Sequence, residues 1–375
     1  MKIVHLSDLH LGKRIYEISM LNDQRFILNQ CLDMIREEQP EAVLVAGDIY
    51  DKGVPPAEAV TLFDDFLYEL SKQPLQVFLI AGNHDSPERI AFGSRLLDRN
   101  GIHLSPVFAG APEPYLLTRD EMVVAVYLLP FIKPVNVRAT LGVEAEDYTE
   151  ALQCVISKME IDSNRINILV SHQFVTGGTR SESETFQVGG TDNVNLSVFD
   201  PFDYVALGHL HAPQSIGRET VRYCGTPLKY SFSEINQEKS MTVIEIEGKG
   251  KIQVRTRKLT PLHEMREVRG TYNELMLRDF YQKQTREDYL HIVLTDEEDL
   301  PDAISRLRMV YPNLMKLDYD NKRTNMQGRP ELSGKAQRSP LDLFGQLYKQ
   351  QNGTEMNEEQ IKYLTAVIEE LEEKQ

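Results

Sequence analysis

The chain has 375 residues, which is room for one large α/β domain and a smaller second one. Its 41% hydrophobic and 26% charged residues are those of an ordinary globular protein, and no apolar run reaches the roughly 18 residues a membrane span needs. A formal net charge of −16 argues against a protein that grips nucleic acid by its own overall field, while leaving room for a local basic groove or a partner that supplies the grip.

"MKIVHLSDLH" turns polar at Asp8 and His10 too early to be the apolar core of a signal peptide, so a cytoplasmic location is expected. Four short β-branched runs end in polar residues: "KIVHLS" (2–7), "AVLVAG" (42–47), "QVFLIAG" (76–82) and "INILVS" (166–171). Between the first two, Ile27, Cys31 and Ile35 share one face of a helix expected near 22–38. A second helix should start after Pro55 and Pro56. A third should run from Ser86 as N-cap, through Pro87, to a closing Gly101. Strand, helix, strand implies right-handed crossovers with helices covering a sheet.

From about residue 102 the runs "YLLT", "MVVAVYLLP", "VRYCG", "SMTVIEIEGKG" and "KIQVRTRKL" read as hairpin strands of a second, more mixed sheet. The expected fold class is α/β, with two mixed sheets packed face to face and helices outside. Residues 261–285 are charged and weakly periodic. "YLHIVL", "LPDAISRLRMV" and "LMKLDY" then form a small βαβ cap. The expected organisation is a main domain over 1–262, a cap over 263–320, a flexible linker over 321–339 and a helical tail over 340–375. Two tail stripes, one from Leu341 to Tyr348 and one from Ile361 to Leu371, are too small to hold a core and must lean on something else. Cys31, Cys154 and Cys224 lack CxxC spacing and read as free thiols.

Five polar islands stand at or just after strand ends: "DLH" (8–10), "GDIYD" (47–51), "GNHD" (82–85), "SH" (171–172) and "GHLH" (208–211). Ligands of open α/β sheets gather outside the carboxyl ends of the strands, so the islands can converge. Asp8, His10, Asp48, Asn83, His172, His209 and His211 offer carboxylate, imidazole and amide donors without a thiolate, a set suited to Mn²⁺, Fe²⁺ or Zn²⁺. Seven donors exceed one tetrahedral ion and suit two ions sharing a bridging carboxylate, an arrangement that can neutralise a phosphoryl group. By contrast His5, His103, His263 and His291 read as structural. On its own, "GNHD" allows metal binding, acid–base chemistry or a polar turn.

The ordered set D-x-H, G-D-x-x-D, G-N-H-D, H and G-H-x-H resembles the calcineurin-like metallophosphoesterase superfamily. "HLSDLHLGKRIYE", "GDIYDKGVPPAEA", "GNHDSPERI" and "YCGTPLKYSFSE" are similar to its nuclease subunits, well up to about Lys258 and more loosely beyond. The resemblance implies one ion on Asp8, His10, Asp48 and His211, and another on Asp48, Asn83, His172 and His209. It implies that His84 assists the leaving oxygen, a role suited to an imidazole because that group changes charge near neutral pH. Asp85 is then expected to hold the His84 ring, and the role of Asp51 stays open.

Mn²⁺-dependent 3′→5′ exonuclease and single-strand endonuclease activity on DNA ends is likewise implied, in repair, recombination and replication. So are a homodimer and an ABC-type ATPase partner docked on residues 340–375. Alternatives are a small-molecule phosphatase, a cyclic-nucleotide phosphodiesterase, or a scaffold that has lost catalysis.

Overall fold

The computed structural model describes residues 1–184, 192–298, 300–321, 341, 344–345, 348–349 and 355–373. Two six-stranded sheets lie face to face. In the first, Lys2–Leu6, Ala42–Ala46, Gln76–Ile80 and Ile102–Leu104 run parallel, each crossover passing over the same face. In the second, Met122–Leu129, Ile166–His172, Tyr204–Gly208 and Arg218–Tyr223 run parallel, with antiparallel strands at both edges.

Period-two alternation divides the side chains among three layers. Ile3, Leu44, Phe78 and Ile80 meet Val126, Leu128, Ile168 and Val170 between the sheets. Val4, Val45 and Leu79 point the other way, against Ile27, Cys31, Ile35, Phe63 and Phe66 from the helices Leu21–Glu38 and Ala57–Ser71. On the far side, Tyr127, Leu169 and Val205 pack on Leu152 and Val155 of the helix Tyr148–Ile156. The expected fold class holds: two mixed sheets with helices outside.

Three local expectations need correction. The strands Ser240–Gly248 and Lys251–Lys258 join the first sheet, not the second, because Ser240–Gly248 pairs antiparallel with the open edge of Lys2–Leu6. "INILVS" belongs to the second sheet. The helix expected over 86–101 breaks into short turns, Pro87–Ile90 and Ser94–Leu97, at Gly93, whose φ of 74° leaves the right-handed helical region.

Beyond the main body, Met265–Gly270, Tyr289–Leu294 and Leu314–Tyr319 form a parallel three-stranded sheet with its own core of Leu290, Ile292, Leu307 and Tyr311. The first of these strands lies in the stretch that read as weakly periodic, since an edge strand needs few apolar side chains. Met265, Tyr289 and Met315 pack on the main core, and the Tyr289 hydroxyl donates to Asp23 at 2.6 Å. In the tail Glu358–Glu373 is helical, while residues 322–339 of the expected linker lie outside the described residues. Among the described residues no helix is long and apolar enough to cross a membrane.

Glu38 ends its helix where the macrodipole disfavours an anion. Arg255, Arg257 and Lys2 converge on its carboxylate, and their hydrogen bonds, Arg255 first, outweigh the opposing burial and hold its pKa at about 2. Glu38→Gln should therefore lower stability by about 1–2 kcal/mol at neutral pH. Because the folded-state pKa is depressed, the gap between wild type and variant is full above the ordinary value of 4.5. It should close as pH falls through that value towards about 2, as urea unfolding at a series of pH values will check.

Candidate metal centre

The strands Lys2–Leu6, Ala42–Ala46, Gln76–Ile80, Ile166–His172 and Tyr204–Gly208 all end at one edge of the sandwich, and every island sits there. Backbone bonds knit the first two loops together: Asp8 N donates to Gly47 O and His10 N to Asp48 O, both at 3.0 Å. Asp8, His10, Asp48 and His209 have φ of 52°, 45°, 49° and 102°. Left-handed backbone costs a non-glycine residue about 1–2 kcal/mol. Four such residues among the predicted donors show a site held at the expense of local strain.

Asp48 is the hub. Its Oδ2 lies 3.6 Å from His10 Nε2 on one side and 3.3 Å from His172 Nε2 on the other. Beyond His10 come the rings of His211, at a centroid separation of 5.0 Å, and His84, at 4.9 Å. On the opposite side Asn83 Oδ1 stands 3.0 Å from both His172 Nε2 and His209 Nδ1. Asp8 closes the group, its Oδ1 accepting the His209 amide at 2.9 Å. The structure thus brings together all seven predicted donors, with His84 beside them.

The electrostatics are those of a buried acid–imidazole cluster. Burial, the largest influence, would raise the Asp48 carboxyl, but His172, His84 and His10 together outweigh it and hold Asp48 well below the usual carboxylate range. Burial likewise opposes charge on His172, yet Asp48 lifts it to about 9. Burial pushes Asp8 up and holds His10 and His209 far below the usual imidazole range. Asp8 Oδ2 and both ring nitrogens of His10 are buried and have no hydrogen-bond partner among the described residues. Orphaned lone pairs aimed into an acid-rich pocket fit divalent cations, which would satisfy them.

His84 sits at the mouth, half-buried. Its amide donates to Asp48 Oδ1 at 2.9 Å, and its Nδ1 faces the Asp51 carbonyl at 3.0 Å. The expected bond from Asp85 to the His84 ring is replaced by another arrangement. Asp85 accepts the amides of Gly82, Ile49 and Tyr50 at 2.9–3.0 Å, so it braces the two loops instead. Burial, then the Asp48 charge, push its carboxyl up to about 6. The Asp51 side chain pairs with Lys13 at 2.6 Å while its carbonyl anchors His84.

Gly82 is needed for close approach and not for a special φ: a Cβ there would lie 2.2 Å from Asp48 Oδ1. Gly208 is tighter, since its Cβ would meet Ala46 O at 1.9 Å and His172 Nδ1 at 2.7 Å. Gly208→Ala should wedge the sheets apart and cost about 3 kcal/mol, measured by urea unfolding; a loss below about 1 kcal/mol would show that the strands yield.

Around His211 lies a set that sequence reasoning missed as site residues: Ser183, Glu184, Glu234 and Lys239. Glu184 Oε1 accepts the His211 amide at 2.7 Å, and Ser183 Oγ lies 2.7 Å from His211 Nδ1. Glu234 and Lys239 form a buried ion pair at 2.7 Å. Only "YCGTPLKYSFSE", which ends at Glu234, carried a signal. His5, His103, His263 and His291 instead pair elsewhere, with Tyr204, Asp98, Asp23 and Asp318.

Paired sheets with acid and imidazole donors gathered at their strand ends define a class, and a family model described as calcineurin-like phosphoesterase matches residues 1–213. The chain belongs to that family, and it is a metal-dependent phosphoesterase. A second model, described as a type 5 capsule protein repressor C-terminal domain, matches residues 261–352. The chain is similar to the D subunit of the SbcCD nuclease of Staphylococcus epidermidis, 31% identical over 98% of this chain and 99% of that one. Among solved structures it is similar to a dimetal phosphatase from Danio rerio, at 13% identity and a TM-score of 0.41 over 69% of this chain and 96% of that one. A Thermus thermophilus protein gives 12% and 0.38 over 68% and 98%.

Proposed function

We propose that the chain is the nuclease subunit of a DNA-end-processing complex. It would act as a Mn²⁺-dependent 3′→5′ exonuclease and single-strand endonuclease with an SbcC-type ABC ATPase, in DNA repair, recombination and replication. One observation carries the chemistry: a single oxygen of Asp48 stands between two imidazoles, amid buried donors that have no hydrogen-bond partner among the described residues. Similarity to the staphylococcal nuclease subunit along nearly the whole chain supports DNA as the substrate.

Asp8, His10, Asp48 and His211 would hold one ion, and Asp48, Asn83, His172 and His209 the other. Bound there, the ions supply Lewis acidity and neutralise charge developing on a phosphodiester. His84, doubly protonated with Nδ1–H donated to the Asp51 carbonyl, would hand its Nε2 proton to the leaving 3′ oxygen and be left as the neutral Nδ1–H ring. Asp85 positions both loops through their amides. Residues 1–262 act as nuclease domain and 263–320 as cap, with 321–339 tethering the ATPase-binding tail. A homodimer is part of this reading, supported by exposed Val54, Val60, Phe92 and Leu96.

The test is digestion of end-labelled duplex and hairpin DNA with Mn²⁺, with and without the ATPase. Cleavage is expected; vigorous hydrolysis of small phosphomonoesters with DNA untouched would defeat the nuclease reading in favour of a phosphatase. Deleting residues 337–375 should abolish co-purification with the ATPase and spare basic nuclease activity; retained co-purification would place the docking surface elsewhere.

A further inference from the structure

We propose that Glu234 is a positioning residue which, through Ser183, decides which nitrogen of His211 carries the ring proton and so whether Nε2 offers a lone pair to the metal centre. The inference rests on the reading of His211 as a ligand and extends it to groups that touch no ion.

Every backbone group of His211 is engaged. Its amide donates to Glu184 Oε1 at 2.7 Å. Its carbonyl accepts Lys239 Nζ at 2.9 Å, Thr226 N at 3.1 Å and Thr226 Oγ1 at 3.4 Å. What remains open is the ring's tautomer, and there the contacts leave one consistent solution. Glu234 is fully buried and paired with Lys239, so its carboxylate is ionised and can only accept. Its Oε2 takes Lys239 Nζ at 2.7 Å and Tyr230 N at 3.3 Å, while Oε1 lies against Ser183 Oγ. The Ser183 hydroxyl must therefore donate to Glu234. The same oxygen lies 2.7 Å from His211 Nδ1 and can then only accept, which puts the ring proton on Nδ1. Glu234 Oε1 itself stands 3.4 Å from Nδ1, and its charge favours a proton there as well. Nε2 then keeps its lone pair, and the His10 ring of the centre stands 5.0 Å from the His211 ring, centroid to centroid. A carboxylate behind a ligating histidine is a general means of fixing orientation; here a serine is inserted between the two.

A carboxamide would reverse the relay. Lys239 Nζ and Tyr230 N hold the oxygen of a Gln at position 234, so its NH₂ would face Ser183. The hydroxyl proton would turn towards His211 Nδ1 and drive the ring proton to Nε2, removing the lone pair from the centre. If Glu234 served only as half of a structural ion pair, Glu234→Gln would lower stability and leave both tautomer and cation binding as they were.

The experiment uses full-length, chelator-treated protein labelled with ¹⁵N-histidine. Long-range ¹H–¹⁵N spectra distinguish the two tautomers, and the His211 signals are assigned by their loss in His211→Asn. Wild type should show Nδ1–H and Glu234→Gln should show Nε2–H. Calorimetric titration with Mn²⁺ alone should show one of two sites weakened by about 10–100-fold and the other unchanged. Glu234→Gln/Lys239→Met removes the unpaired buried cation should the single variant fail to fold. It has the same expected outcome, because Tyr230 N still holds the amide oxygen. A wild-type tautomer with both affinities unchanged in a folded variant would overturn the proposal. Absence of Mn²⁺ binding by the wild type would defeat the proposed function, while the metal-free spectra would still decide the role of Glu234.

Discussion

Asp48→Ala is expected to lower phosphodiester cleavage by roughly 10⁴-fold or more and to abolish binding of both Mn²⁺ ions. The size of the effect follows from the hub position. One side chain serves the His10 side and the His172 side through Oδ2, and holds the His84 amide through Oδ1. Removing it would take an anion from both proposed ion sites and free the loop that carries His84. The loops themselves should persist, because Asp8 N to Gly47 O and His10 N to Asp48 O are backbone bonds. Calorimetric Mn²⁺ titration and DNA cleavage, with thermal unfolding in chelator as the control for folding, read the three quantities separately. Two Mn²⁺ ions bound with wild-type affinity by the variant would show that Asp48 is not shared.

The second large effect is expected at His84. Its Nδ1 is taken by the Asp51 carbonyl, so Nε2 is the atom available to a leaving group. His84→Ala should reduce kcat by about 10²–10⁴-fold, in line with the loss of a general acid, while Mn²⁺ affinity changes little. Single-turnover cleavage under saturating Mn²⁺ measures the chemical step directly. Unchanged cleavage with intact metal binding would assign the proton transfer to another group. Asp85 should behave differently from His84, since it touches loop amides and its removal should weaken metal binding and turnover together.

Much of this was legible in the residue order. Short continuous β-branched runs ending in Asp, Asn or His place donors at strand ends whatever the distant packing, because strand direction and the turn residues that follow are local properties. The donor chemistry was legible as well: carboxylates, imidazoles and an amide without a thiolate exclude a structural Cys-rich zinc site. Those features carried the αββα sandwich and the candidate residues.

Other features depended on contacts between residues far apart in sequence. Ser240–Gly248 could have extended either sheet, and the open edge of Lys2–Leu6 chose for it across more than 200 residues. Asp85 lies next to His84 in the chain, yet its hydrogen bonds go to Ile49 and Tyr50, because the loops fold back over one another. Ser183, Glu184, Glu234 and Lys239 have no periodic or spacing signature. They gather around His211 only after both sheets and the turn Phe232–Glu234 are in place. Donor type and strand-end location are written locally, since they follow from side-chain chemistry and backbone period. Partners, tautomers and sheet membership are not, because burial and hydrogen bonding are satisfied between residues that only the packed chain brings within about 3 Å.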